Sequence, residues 1–93
     1  MKRTRFDIMR DILKVSIGGA NKTKIVYGAK LNFKIAKQYI DFLIEAEMLQ
    51  QKSHGKNNTY HTTEKGKDIL SKFELFESVF PSESNSLTVS YMI

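Results

Sequence analysis

Between residues 22 and 38 the chain carries a pattern that few arrangements can satisfy. A basic stretch (Lys22, Thr23, Lys24) is followed by a break over residues 28–31, then by a segment with Lys34, Lys37 and Gln38 on one flank and apolar residues on the other. At 3.6 residues per turn this last segment gathers Ala36, Tyr39, Ile40, Leu43 and Ile44 into one stripe. Lys34, Lys37, Gln38 and Asp41 fall into another, at i, i+3, i+4 and i+7. The apolar stripe needs a core to cover it, and the polar one is left for a ligand. Two helices joined by such a break form a helix-turn-helix, an arrangement that aims polar side chains at the edge of a duplex.

The flanking sequence supplies the remaining elements. Phe6, Met9, Leu13 and Ile17 recur at helical spacing, with Ile8, Ile12 and Val15 widening the stripe and Arg5, Arg10, Asp11 and Lys14 on the wet side. Gly18-Gly19 is expected to end this first helix. Residues 18–21 lack the Gly-Lys-Ser/Thr sequence of a nucleotide-binding loop. A short second helix over 22–29 buries Ile25 and Val26, and Asn32 caps a third that runs to about Met48.

Beyond Leu49 the period changes. Residues 50–53 and 59–62 flank His54-Gly55-Lys56-Asn57-Asn58, whose Gly and Asn suit a hairpin tip, so a two-stranded wing is expected. Thr63 caps a fourth helix over 64–80, which Pro81 stops. Residues 82–86 form a polar linker before a β-prone end, 87–93, whose role the sequence leaves open. The expectation is a mainly α winged helix-turn-helix with a small β-hairpin, in the order α-α-α-β-β-α. Residues 1–63 would form the winged domain and 64–80 a dimerisation helix packed on it, with 81–93 as a tail.

Composition narrows the function classes. Ninety-three residues with 41% hydrophobic content suit one small domain with a thin core. Without cysteine, neither disulfides nor thiolate metal sites are available to support it, which makes a second subunit the expected support in a cytoplasmic protein. Residues 1–37 carry ten Lys/Arg against Asp7 and Asp11, a balance of +8, whereas residues 38–93 carry five against eight acids, a balance of −3. The basic half is the one suited to a polyanion. No apolar run approaches the ~20 residues that span a bilayer, so no membrane partner is expected. The two histidines, His54 and His61, have neither cysteine nor a carboxylate pair beside them, so no metal site is expected. No nucleophile–base grouping is recognisable, and neither a cofactor nor enzymatic activity is expected.

The binding candidates follow from side-chain chemistry. Lys34, Lys37 and Gln38 suit base edges, Lys toward guanine acceptors or phosphate and Gln toward adenine. Lys22, Thr23, Lys24 and Lys30 suit phosphate, with Tyr27 either extending that track or packing inward. The wing offers Lys52, His54, Lys56, Asn57 and Asn58. Lys2, Arg3 and Arg5 are either a basic arm or a solvated terminus. Asp41 would repel phosphate, so the contact surface should end near Gln38. In the fourth helix Ile69, Phe73, Phe76 and Phe80 are spaced 4, 3 and 4, an a/d seam flanked by Leu70 and Val79. One domain can cover Ile69 and Leu70, but not readily Phe76, Val79 and Phe80 as well, so a homodimer through Ile69, Phe73, Phe76, Val79 and Phe80 is expected.

Three segments also carry a family resemblance: Lys-Thr-Lys-Ile-Val-Tyr-Gly-Ala-Lys-Leu-Asn-Phe (22–33), Tyr-Ile-Asp-Phe-Leu-Ile-Glu-Ala-Glu-Met-Leu (39–49) and Tyr-His-Thr-Thr-Glu-Lys-Gly (60–66). Over residues 4–80 the chain resembles the small archaeal winged-helix DNA-binding proteins of the ten-kilodalton chromatin-associated type. The resemblance implies a coiled-coil dimer, double-stranded DNA as partner and a nucleoid-associated protein. Thr62 departs from the family pattern, which usually has an aliphatic residue there. The functional expectation is a dimeric transcription regulator acting by operator occupancy, with half-sites about one helical turn, ~34 Å, apart. A low-specificity DNA-organising chromatin protein and a winged-helix protein-interaction adaptor are the alternatives.

Overall fold

In a computed structural model that describes residues 3–79, the chain enters its first helix through reciprocal capping. Thr4 Oγ1 accepts from the Asp7 amide at 3.0 Å while the Asp7 carboxylate accepts from the Thr4 amide at 3.0 Å. Two otherwise orphaned donors are thereby satisfied, and α1 runs Arg5–Val15. Asn21 and Asn32 do the same work for α2 (Lys22–Gly28) and α3 (Phe33–Glu45), accepting from the amides of Lys24 at 2.8 Å and Ile35 at 2.7 Å. Strands β1 (Leu49–His54) and β2 (Asn57–Thr62) pair antiparallel from Leu49↔Thr62 to His54↔Asn57. Thr63 Oγ1 accepts from the Gly66 amide at 3.0 Å as α4 (Glu64–Val79) begins.

The order α1-α2-α3-β1-β2-α4 is the expected one, and the boundaries differ for physical reasons. The first helix stops at Val15, before the glycine pair, and Ser16 rather than Ile17 is buried behind it. Ile17 lies beyond the helix and is exposed. Gly18 and Gly19, at φ +82° and +108°, turn the chain so that Ala20 bridges Tyr60 of β2 through two backbone hydrogen bonds of 2.9 and 2.8 Å. The break between α2 and α3 is made by Lys30 at φ +56°, whereas Gly28 is the last helical residue. A Cβ on Gly28 would lie 2.7 Å from Val15 Cγ2, so this glycine serves close helix packing. The third helix ends at Glu45 instead of Met48. Glu47, at φ +64°, reverses the chain, the Met48 amide bonds back to Leu43 O at 2.8 Å, and Leu49 enters the core. The hairpin tip shrinks to Gly55-Lys56, since His54, Asn57 and Asn58 lie in the strands.

One core joins these elements. Ile12 and Leu13 from α1, Ile25, Val26 and Ala29 from α2, and Ala36, Ile40 and Leu43 from α3 pack with Ala20, Leu49 and Leu70. Thr62 sits in this interior, and its hydroxyl donates to Leu13 O at 2.7 Å, so the polar departure noted above is satisfied. Helix α4 lies against α1. Phe73 stacks on Phe6 with ring centroids 6.4 Å apart and lies beneath the Arg10 guanidinium, 5.8 Å away. Arg10 also pairs with Glu77 at 2.6 Å and Lys14 with Glu74 at 3.2 Å. Burial opposes the Arg10 charge, but the hydrogen bond to Asp11 and the charges of Asp11, Glu77 and Asp7 outweigh it and raise the guanidinium pKa.

Candidate nucleic-acid interface

Helix α3 owes its exposed face to the way its other face is used. Ala36, Ile40 and Leu43 face the core, so Lys34, Lys37, Gln38 and Asp41 point away from it, all of them exposed. Lys37 is not idle, because its ammonium contacts Asp41, one turn on, at 2.7 Å. That hydrogen bond and the Asp41 charge raise the Lys37 pKa, which keeps it cationic. Asp41 therefore holds one of the three base-reading candidates in addition to ending the cationic stripe.

The other expected contacts surround α3. Thr23, Lys24 and Tyr27 share the exposed face of α2, at i, i+1 and i+4, while Lys22 is half-buried. Tyr27 thus points outward, which decides between its two readings in favour of the surface. Lys30 is exposed at the turn that leads into α3. Lys52, His54, Lys56, Asn57 and Asn58 are all exposed on the hairpin, where Ser53 Oγ donates to Asn58 Oδ1 at 3.0 Å. Arg3 does not behave as a free arm, since it caps α2 by donating to Ala29 O at 2.6 Å and pairs with Asp11. Lys2 lies outside the described residues.

Two further residues lie near α3, of which Phe33 escaped the sequence reading and Arg5 was expected only as part of a basic arm or a solvated terminus. Arg5, in the first turn of α1, lines a shallow cleft with Gln38, Tyr39 and Phe42. Phe33, the first residue of α3, is 51% exposed beside Lys34. The signal for Phe33 was its place directly after the Asn32 cap, ahead of the apolar stripe.

Charge pairing separates the two sides of the molecule. The cations of α1 and α4 are mostly neutralised: Arg3 by Asp11, Arg10 by Asp7, Asp11 and Glu77, Lys14 by Glu74, Lys67 by Glu64 and Lys72 by Asp68. Among the described residues Lys22, Lys24, Lys30, Lys34, Lys52 and Lys56, which span α2, the turn, α3 and the wing, take part in no ion pair, nor do Arg5 at the start of α1 and Lys65 at the start of α4.

Between α1, α3 and α4 lies an apolar groove of about 210 Å³, lined by Phe6, Met9, Phe42, Met48, Ile69 and Phe73 with Leu13 and Leu70 at its floor and Arg10 at its edge, and sharing Met9 and Phe42 with the cleft at Gln38. The residues expected in a dimer seam fall here and along the rest of α4. Phe73 is half-buried against α1, Ile69 is 40% exposed, and Phe76 and Val79 are exposed at 61% and 66%. Leu75, at 68%, was not in the expected set. Phe80 and residues 81–93 lie outside the described residues. Among the described residues no group of His, Asp and Glu could hold a metal ion, and no helix is long and apolar enough to cross a membrane.

A three-helix core that presents one exposed cationic helix beside a two-stranded hairpin, with a further helix packed behind, is a winged-helix scaffold. The chain belongs to the winged helix-turn-helix family, whose sequence profile matches residues 2–80. Two uncharacterised proteins of Methanocaldococcus jannaschii are 33% identical to it over 85 residues and 35% identical over 78, covering 89% and 82% of this chain. The chain spans 38% of the length of the first and 76% of the second. Among solved structures it is similar to Sso10a-2, a DNA-binding protein from Sulfolobus solfataricus, with 30% identity, a TM-score of 0.82 and coverage of 98% of this chain and 97% of that one.

Proposed function

We propose that this chain binds double-stranded DNA, with α3 in the major groove and α2, the Lys30 turn and the wing against flanking phosphates. The observation that carries this reading is the charge asymmetry. Six lysines without ion pairs, carried by α2, the turn, α3 and the wing, are free to neutralise phosphates, and a polyanion gains by releasing the counterions that they replace. The similarity to Sso10a-2 supports the same partner. Lys34 and Gln38 are the base-reading groups ready to act, Lys37 joins them when it leaves Asp41, and Lys22, Thr23, Lys24, Lys30, Lys52 and Lys56 position the protein.

The working form in this reading is a homodimer assembled through α4. Its support is the apolar surface of Ile69, Leu75 and Val79, and the groove that Ile69 shares with Phe6 and Phe42. An apolar surface continued over three helices is costly to leave in water and suits a second subunit. The protein acts as a transcription regulator by occupying its operator, a role that needs no cofactor and no chemistry. The pairing of Lys37 with Asp41 favours a second reading, low-specificity DNA organisation, because it leaves few groups free to read bases. A regulator binds selected duplexes at least ~10³-fold more tightly than random ones, and an organiser binds both alike.

The decisive experiment changes Lys34 and Lys37 together to Glu. Duplex binding in a mobility-shift assay at physiological salt should be lost, while the circular dichroism spectrum and the oligomeric state stay as in the parent. A double variant that still shifts duplex DNA normally would remove α3 from the role of reading helix.

A further inference from the structure

Most of the exposed apolar side chains gather on α4 and around the groove it forms with α1 and α3, but Phe33 does not line that groove. It is the first residue of α3, next to Lys34 and one turn before Lys37. Phe33 is 51% exposed and does not belong to the hydrophobic cluster of the core. The Asn32 cap holds the backbone at this point through the Ile35 amide, which fixes Phe33 as the first helical residue. Helical side chains lean toward the N-terminus of their helix, so the ring projects from the leading end of α3, ahead of the lysines. A polar residue would be better solvated there, and a phenyl ring offers a phosphate nothing.

Resting on the DNA reading above, we propose that Phe33 is a specificity-determining residue that reads the 5-methyl group of thymine in the major groove. Every base pair presents hydrogen-bonding atoms along that groove, and thymine alone adds an apolar group. The residues at the start of a reading helix are the ones that reach base edges. A phenyl ring at that position has one complementary feature available to it, while Lys34 on its flank supplies the attraction to the surrounding phosphates.

Replacing thymidine by deoxyuridine removes that methyl and leaves base pairing intact, which gives a clean test. Duplexes recovered by the full chain from a random 30-base-pair pool would be resynthesised with deoxyuridine at every thymidine, and affinities measured by fluorescence anisotropy. The parent protein should bind the thymidine duplex about threefold to tenfold more tightly than the deoxyuridine duplex, the scale expected for one buried methyl contact. Phe33→Ala, shown to be folded by circular dichroism, should bind both equally, at the level of the parent on deoxyuridine, and Phe33→Leu should keep part of the preference. Equal binding of both duplexes by the parent, or recovered duplexes without thymidine in common positions, would overturn the assignment and leave DNA binding intact. A Phe33→Ala variant weakened equally on both duplexes would also overturn it, in favour of a ring wedged between bases. A parent protein that recovers no duplex from the pool would instead defeat the DNA reading itself.

Discussion

At the scale of single residues, Gly66 shows how a local preference and a tertiary contact can point in opposite directions. It lies inside α4, where alanine is favoured over glycine by about 1 kcal/mol. A Cβ at this position, however, would fall within the carbonyl oxygen of Met48 and against the Thr62 methyl. Backbone on one side and a buried threonine on the other leave little room to give, and overpacking of this kind costs about 1–3 kcal/mol or more. Gly66→Ala should therefore destabilise the fold by about 1–2 kcal/mol after the helical gain is subtracted, seen as a lower urea midpoint with an unchanged slope. The same contrast explains what the sequence reveals. Asn32 and Thr63 are legible as caps because a cap bonds within the next three residues. Gly28 reads as a turn residue and is a packing residue, because its reason lies on Val15 of another helix. The outward aim of Lys34 and Gln38 follows from the spacing of Ala36, Ile40 and Leu43, whereas the approach of Arg5 to Gln38 depends on how α1 crosses α3.

At the scale of elements, α3 carries its own restraint. Asp41 engages Lys37 from one turn below, and both side chains are well exposed, so the pair can open when a phosphate competes for the ammonium. Asp41→Asn should leave stability almost unchanged and tighten duplex binding about twofold to fivefold at low salt, with the gain shrinking as salt rises. Anisotropy titrations at two ionic strengths would show this, and equal or weaker binding by the variant would mean that Lys37 does not reach the duplex. The spacing Lys37–Asp41 is readable as an i,i+4 pair, but which partner the lysine prefers is a matter of side-chain geometry that spacing leaves open.

At the scale of the whole molecule, the separation of neutralised from unneutralised charge makes a quantitative prediction. If Lys22, Lys24, Lys30, Lys52 and Lys56 each displace a counterion, the logarithm of affinity should fall with the logarithm of salt with a slope of about −4.5 per protomer, and about twice that for a dimer seated on two half-sites. Slopes measured above and below the concentration at which sedimentation detects association would read phosphate contacts and subunit number together. A slope near −1 would assign the lysines to ordinary solvation. The sequence shows a charge imbalance of +8 and −3 between its halves, yet it does not say that acids on α4 fold back to quench α1 and leave α2, α3 and the wing exposed.

The join between β2 and α4 is bolted by three hydrogen bonds from two sides. The Thr62 amide bonds to Ser16 O at 3.1 Å, the Thr62 hydroxyl to Leu13 O at 2.7 Å, and the Thr63 amide to Met48 O at 3.0 Å, so the end of α1 and the exit from α3 are fastened at one point. A hinge at that place would let the helix-turn-helix swivel on α4. With these bolts a load applied to α4 is handed on to α1 and α3 instead of being absorbed at the join.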